Sequence, residues 1–236
     1  MQINRFETKE EANAAAGESL NSLLAENQKY PVLLLLSGGS SLAALDYVNQ
    51  KNLGENLTVT MLDERFSQET EANNFLQLQK LDFYSLALEK DVNFLGTLPR
   101  PGENMEDMRT RLEISLRNWQ KNNPKGRIFA VFGMGSDGHT AGIFPYPENS
   151  EFFSQNFEND HFISGYSAEG KHKYAQRITA TFSFFKHVDE AILLLCGAEK
   201  KPALQRLLAG KEQAHELPAL GLYETKHFQI FTDIKA

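Results

Sequence analysis

The octapeptide Gly133-Met134-Gly135-Ser136-Asp137-Gly138-His139-Thr140 sets a carboxylate and an imidazole two residues apart in a glycine-rich segment. The apolar run Ile128 to Phe132 precedes it, so a buried strand ends where the turn begins. Strand-to-loop junctions of this kind lie at the carboxyl edge of an α/β sheet, the usual ligand-binding edge. His139 is therefore a candidate proton-transfer group, with Asp137 either orienting it or shaping the loop. The competing reading is a structural turn carrying a solvated histidine. The same letters spell G-x-G-x-x-G, but a dinucleotide site needs a helix beginning at the last glycine. Pro145 and Pro147 stand too close for such a helix, because a proline in a helix interior costs about 3 kcal/mol.

A second constellation follows the run Val32 to Leu36: Ser37-Gly38-Gly39-Ser40-Ser41, then the helical pattern Leu42 to Val48. Free amides at a helix start, the positive end of its dipole and serine hydroxyls would cradle a phosphate, and the glycines allow close backbone approach. A serine-capped helix after a glycine turn is the plainer alternative. The Gly-Lys-Ser/Thr of a Walker A loop is absent, which favours a small phosphorylated metabolite over a nucleoside triphosphate.

After the run Thr58 to Leu62 come Asp63-Glu64-Arg65. Asp63 could transfer a proton or bind a sugar hydroxyl, and Arg65 offers a planar fork for phosphate or developing negative charge. Arg177, entering the run Ile178 to Phe182, and Lys200, after Cys196-Gly197-Ala198-Glu199, are cations that two strand ends could bring to the same edge.

Other chemistries fit less well. Met134 stands where a G-x-S-x-G elbow needs its first glycine, and Cys196 sits in an apolar run that disfavours a thiolate. No H-E-x-x-H motif or close His/Cys pair suggests a metal. His161, His172, His187, His215 and His227 are scattered and read mostly as surface residues.

These groups must be positioned by 236 residues, 41% hydrophobic, enough for a large α/β core. A net charge of −7 without a Lys/Arg cluster argues against nucleic acid as a partner. The single cysteine suits a reducing compartment and reads as a core thiol. The amino terminus lacks a signal-peptide pattern, and no apolar run reaches the ~18 residues of a membrane span, so a cytoplasmic protein without a membrane partner is expected.

Strand-like runs at 32–36, 58–62, 92–95, 128–132, 161–164, 178–182, 191–195 and 228–231 alternate with helical patterns, predicting a mostly parallel sheet covered by helices. Thr8 with Glu10 and Glu11 reads as a helix start, and the helix runs to about Asn27. Met105, Met108, Leu112, Leu116 and Trp119 mark the core face of another helix. The stretch 146–159 reads as an irregular surface excursion. Without a repeat or long linker, residues 1–236 are expected to form one domain.

Taken in chain order, Ser37-Gly38-Gly39-Ser40, Asp63-Glu64-Arg65, Gly133 to Ala141 with Phe144-Pro145, Arg177-Ile178-Thr179 and Gly197-Ala198-Glu199-Lys200 resemble the 6-phosphogluconolactonase family, from about residue 5 to about residue 232. The resemblance implies a Rossmann-like three-layer α/β/α sandwich. The related glucosamine-6-phosphate isomerase/deaminases carry Asp-Glu-Tyr where this chain has Asp63-Glu64-Arg65. They also carry a catalytic glutamate where Phe144 stands. Two departures from the lactonase pattern are Ser41-Leu42 in place of Thr-Pro, and Gly142 in place of a usual serine. Since Ser41 keeps a hydroxyl, phosphate binding is expected to survive.

The resemblance implies hydrolysis of 6-phospho-D-glucono-1,5-lactone, with His139 as general base, Asp137 orienting it, and Arg65 steadying charge on the lactone side. Asp63 belongs to the same catalytic group, in a catalytic or a structural role. Ser37, Gly38, Gly39, Ser40, Ser41, Arg177 and Lys200 would hold the 6-phosphate. A free imidazole titrates near about 6.5 and can be neutral at pH 7. Neither a metal nor an organic cofactor is required, and the expected partner is a small phosphorylated sugar lactone, bound by a monomer or homodimer. An amino-sugar-phosphate isomerase and a non-catalytic sugar-phosphate sensor are the alternatives on the same scaffold.

Overall fold

The computed structural model describes residues 1–235. In chain order its elements are β1 (Gln2–Arg5), α1 (Lys9–Glu26), β2 (Val32–Leu36), β3 (Leu57–Met61), β4 (Asp63–Arg65), α2 (Asn74–Leu78), α3 (Asp82–Glu89), β5 (Asn93–Phe94), α4 (Met105–Asn122), β6 (Arg127–Phe132), α5 (Ser150–Phe157), β7 (Ile163–Ser167), β8 (Gln176–Ala180), α6 (Phe182–Phe185), β9 (Glu190–Leu194), α7 (Lys201–Ala209) and β10 (His227–Thr232). Seven strands form one sheet in the order β1-β10-β9-β6-β2-β3-β5, with every neighbouring pair parallel.

β2 lies in the interior of that sheet and is buried throughout, as its unbroken Val/Leu composition requires. Alternate side chains feed two cores. Leu33 and Leu35 join Met108, Leu112 and Leu116 of α4 on one side. Val32, Leu34 and Leu36 join Ala12, Ala16, Leu20 and Leu24 of α1 on the other. The three layers follow from that two-sided burial. Truncating Leu34 to alanine would cost about 2–5 kcal/mol. Thr8 caps α1 and Asn104 caps α4, each closing a reciprocal capping box with the residue three positions on, Glu11 and Asp107.

Two of the expected strands leave the main sheet. β8 and β7 pair antiparallel, and β4 adds antiparallel to β8, giving a separate three-stranded sheet. Leu62 joins the two sheets: its N–H donates to Leu36 O in the large sheet, and its carbonyl accepts from Ala180 N in the small one. The charged trio at 63–65 is thus a strand, and β1 is a further strand outside the runs singled out from sequence.

Three local expectations are corrected. Residues 146–159 contain α5, capped by Asn149, with Phe153 and Phe157 buried four residues apart on one face. The helix after the Ser-Gly-Gly loop is a 3-10 helix over Gly39–Tyr47 rather than an α-helix from Leu42. Ser41 Oγ donates to Ser37 O at 3.0 Å and Gly38 O at 3.1 Å, a local competition that tightens the first turn. Cys196 is only half-buried, and burial pushes its thiol up. No helix among the described residues is long and apolar enough to cross a membrane.

Candidate active site

The carboxyl ends of β2, β6 and β9, with β4 and β8 from the small sheet, surround a cavity of about 370 Å³. Ser37, Gly38, Gly39, Ser40, Asp63, Arg65, His139, Arg177 and Lys200 all line it. Of the residues singled out from sequence, Asp137 and Ser41 lie outside the lining. Asp137 sits behind His139. The Ser41 hydroxyl is buried and donates to two carbonyls of its own loop, Ser37 O and Gly38 O.

The segment after β6 folds as a tight turn. Gly138 N donates to Gly135 O, Gly135 N donates to His139 O, and Thr140 Oγ1 donates to Gly133 O at 2.7 Å. This geometry brings His139 Nδ1 within 2.7 Å of Asp137 Oδ1, which also accepts from His139 N at 3.1 Å. Burial works to raise the Asp137 carboxyl, but its hydrogen bond to His139 and the imidazole charge outweigh it, and the net shift is downward. An ionised Asp137 holds the neutral imidazole as the Nδ1–H tautomer. That leaves Nε2 as a free base. The imidazole packs against Phe144 at an interplanar angle of 35°, with ring centroids 4.8 Å apart.

Asp63, Glu64 and Arg65 take three different roles along β4. Asp63 is buried, with Oδ2 3.7 Å from Arg177 Nη1 and 3.4 Å from Asn74 Nδ2. Glu64 points away from the cavity and accepts four hydrogen bonds, from Arg65 N and Asn74 N on Oε1 and from Phe75 N and Thr97 Oγ1 on Oε2. Burial nevertheless pushes it up to about 7. Arg65 Nη1 donates to Ala72 O at 2.7 Å.

Arg177 is 2% exposed, the most enclosed cation at the site. Its Nε donates to Tyr174 O at 3.0 Å, and its guanidinium lies 5.3 Å over the Phe144 ring. Burial lowers its affinity for its proton, while Asp63 acts to restore it. The loop after β6 is tied to the small sheet through Gly142, whose carbonyl accepts from the Tyr166 hydroxyl. Gly142 has φ +69°, and a Cβ there would stand 2.8 Å from Asp63 Oδ2. Glycine at that position is what lets Asp63 approach.

Among the described residues, four buried side-chain polar atoms lack a partner, and Ser37 Oγ, Arg65 Nε and Asn74 Oδ1 are three of them. Leaving such atoms unpaired costs about 1–3 kcal/mol each, and two of the three belong to residues that line the cavity, Ser37 and Arg65, which fits a polar ligand. A second cavity, of about 450 Å³, opens at the opposite sheet edge around Arg127, His187, Asp189 and Lys226. Its carboxylate Asp189 is already committed to Lys226 and to Ile128 N. No group of three or more His, Cys, Asp or Glu among the described residues could hold a metal ion.

Sequence reasoning passed over Asn74, which braces Asp63, and His172, which lines the cavity from the β7–β8 loop. Asn74 opens a short helix that Asn73 caps, and His172 stands in a charged run, so neither carried a local signal.

A parallel sheet whose carboxyl edge presents a glycine-rich loop, an Asp–His pair and a set of converging cations defines an α/β protein built for a small anionic ligand. The family model for glucosamine-6-phosphate isomerases/6-phosphogluconolactonase matches residues 7–231, and the chain belongs to that family. It is 28% identical over 215 residues to a 6-phosphogluconolactonase of Xylella fastidiosa, covering 89% of this chain and 86% of that protein. A Helicobacter pylori protein of the same name is 24% identical over 222 residues, covering 92% of this chain and 90% of its own. Among solved structures, the fold is similar to a 6-phosphogluconolactonase from Thermotoga maritima, with TM-score 0.75, 18% identity and 98% of each chain covered.

Proposed function

We propose that this chain hydrolyses 6-phospho-D-glucono-1,5-lactone to 6-phosphogluconate, a step of the oxidative pentose phosphate pathway. The observation that carries the reading is the 2.7 Å contact between His139 and Asp137 at the edge of a cavity lined by Arg65, Arg177 and Lys200. Relatives named 6-phosphogluconolactonase over most of the chain support it.

In this reaction His139 Nε2 takes a proton from water as its oxygen adds to lactone C1. The resulting tetrahedral centre carries negative charge, which the Arg65 guanidinium offsets. The C1–O5 bond then breaks, O5 receives the proton from His139, and the new carboxyl group releases its remaining proton to solvent, so that the product leaves as a carboxylate. General base action of this kind contributes about 10²–10⁴ in rate. Amides of the loop from Ser37 to Ser40, with Lys200 and Arg177, hold the phosphate. Asp63 acts by orienting Arg177, since its carboxylate already faces that guanidinium and Asn74.

The isomerase alternative is not favoured. Ring opening needs a titratable group where this chain has Phe144, whose ring instead packs against His139 and Arg177. The test is the hydrolysis rate of freshly generated 6-phosphogluconolactone at neutral pH, corrected for spontaneous opening, for wild type and His139→Ala. Acceleration that disappears in the variant is expected. No acceleration by the wild type, or ammonia release from glucosamine 6-phosphate, overturns the proposal.

A further inference from the structure

The loop joining β7 to β8 is folded by its own backbone. Ala168 N donates to Ala175 O, while Lys171 N and His172 N both donate to Ala168 O. Gly170, at φ +75°, makes the reversal. His172 stands at the exposed rim on this loop, yet it lines the cavity that holds His139, Arg65 and Arg177. Its ring packs at a tilt against Phe144, at a centroid distance of 6.1 Å, and against Tyr174, at 5.8 Å. Phe144 therefore touches two imidazoles, His139 at 4.8 Å and His172 at 6.1 Å.

The two imidazoles are held in opposite tautomers. Asp137 takes the proton side of His139 Nδ1. At His172 the partner of Nδ1 is a backbone donor, Tyr174 N at 3.1 Å, so Nδ1 must accept. The neutral ring then carries its hydrogen on Nε2. No described residue accepts from that Nε2–H. Burial first, then the charges of Arg177, Arg65, His139 and Lys173, hold this imidazole below the ordinary histidine range. It meets a ligand as a neutral donor.

We infer that His172 is a substrate-contacting residue, whose Nε2–H donates to an oxygen of the bound phosphosugar on the side of the cavity occupied by Arg65 and Arg177. The inference rests on the proposed lactonase reading for the identity of that ligand. A neutral donor adds direction where the two guanidinium groups supply charge, and the fixed tautomer means that no reorganisation is needed on binding. The oxygen belongs to the phosphate or to the lactone, and kinetics separate the two. A contact to the phosphate is made equally in ground and transition states and is read in KM, whereas a contact to the lactone oxygen that gains charge is read in kcat.

The experiment compares wild type, His172→Asn and His172→Gln on freshly generated 6-phosphogluconolactone. Asparagine places its carboxamide oxygen where Nδ1 accepts from Tyr174 N, as in an ordinary Asx turn, and has no donor at the Nε2 position. Glutamine has the reach to put an amide donor near Nε2 and gives up the loop contact. The donor role is supported if Asn loses about tenfold or more in kcat/KM and Gln retains more activity than Asn. Asn equal to or better than Gln overturns it, because the imidazole then serves only its own loop. Imidazole ¹⁵N shifts give a readout independent of turnover. Nδ1 unprotonated in the free protein, with an Nε2 shift on addition of 6-phosphogluconate, is expected, and an Nδ1–H tautomer overturns the inference. Absence of turnover in the wild type would fault the lactonase reading instead.

Discussion

Arg65 and Arg177 are direct register partners across the antiparallel pairing of β4 and β8, and Arg177 also reaches diagonally to Asp63 at 3.7 Å. Direct partners hold their Cβ atoms about 4.5–5.5 Å apart, and like charges so placed repel. Asp63 pairs with Arg177 alone, while Arg65 Nη1 donates to a backbone carbonyl, which leaves local positive charge in a chain whose net charge is −7. An anion would offset that charge. Inorganic phosphate is expected to raise the Tm of the wild type, since a ligand at one hundred times its Kd stabilises by about 2.7 kcal/mol. Arg65→Met should shrink that rise. A wild-type Tm indifferent to phosphate counts against the anion site.

Arg177 and Lys200 should fail differently when truncated. Arg177→Ala strips the buried Asp63 of its counter-charge, a change that costs about 3–5 kcal/mol, so both stability and substrate capture should fall. Lys200, on a partly exposed turn, should raise KM about tenfold to a hundredfold as Lys200→Ala with little change in Tm. Urea midpoints and steady-state kinetics on both variants decide it. Equal stability losses would contradict the structure.

Gly38 is needed for a neighbour, not for its own backbone. Its φ of −77° suits any residue, but an added Cβ would stand 2.1 Å from Asn74 Oδ1. Gly38→Ala should therefore displace the loop and raise KM, and Gly38→Ala with Asn74→Ala should recover part of that loss. The double variant performing no better than the single one would show that the loop needs glycine for another reason.

Glu64 makes stability depend on pH. Its folded value, about 7, lies above the ordinary 4.5, so between those values the folded chain holds a proton that the unfolded chain has released. The contribution is fully present below about pH 4.5 and is lost as pH rises through about 7. At about 1.4 kcal/mol per pKa unit it reaches about 3 kcal/mol at most. Urea midpoints at pH 5 and pH 8 should show the wild type losing stability relative to Glu64→Gln as pH rises. A difference that stays constant with pH would mean that the four hydrogen bonds outweigh burial.

The Asp137–His139 pair should act on the chemical step. His139→Ala is expected to lower kcat by about 10²–10⁴ with little change in KM. In Asp137→Asn the amide can donate to Nδ1 and shift the proton to Nε2, where it blocks the base, so kcat should fall again, by less. Steady-state parameters for both variants at neutral pH check this. A raised KM with normal kcat would move the pair out of catalysis and into binding.

Wherever one face or both faces of an element had to be apolar, the fold was legible in the chain. Val32 to Leu36 could only be a strand buried on both sides, and the spacing from Met108 to Leu116 could only be the inner face of a helix. The Asp137–His139 contact was legible too, because two residues in one tight turn need no distant element to meet. The sequence by itself thus determined the parallel core, the main helices, the local Asp–His pair and the motif order that marks the family. Tertiary structure decided the rest, because long-range pairing carries no local signature. Only the antiparallel register of β4 on β8 brings Arg65 beside Arg177, across more than a hundred residues of chain. Only the folded loop turns the Ser41 hydroxyl inward, and only the β7–β8 hairpin carries His172 to the cavity rim. Side chains of that kind read as solvated groups until the fold surrounds them, because a charge or an imidazole takes its chemistry from neighbours supplied by other elements.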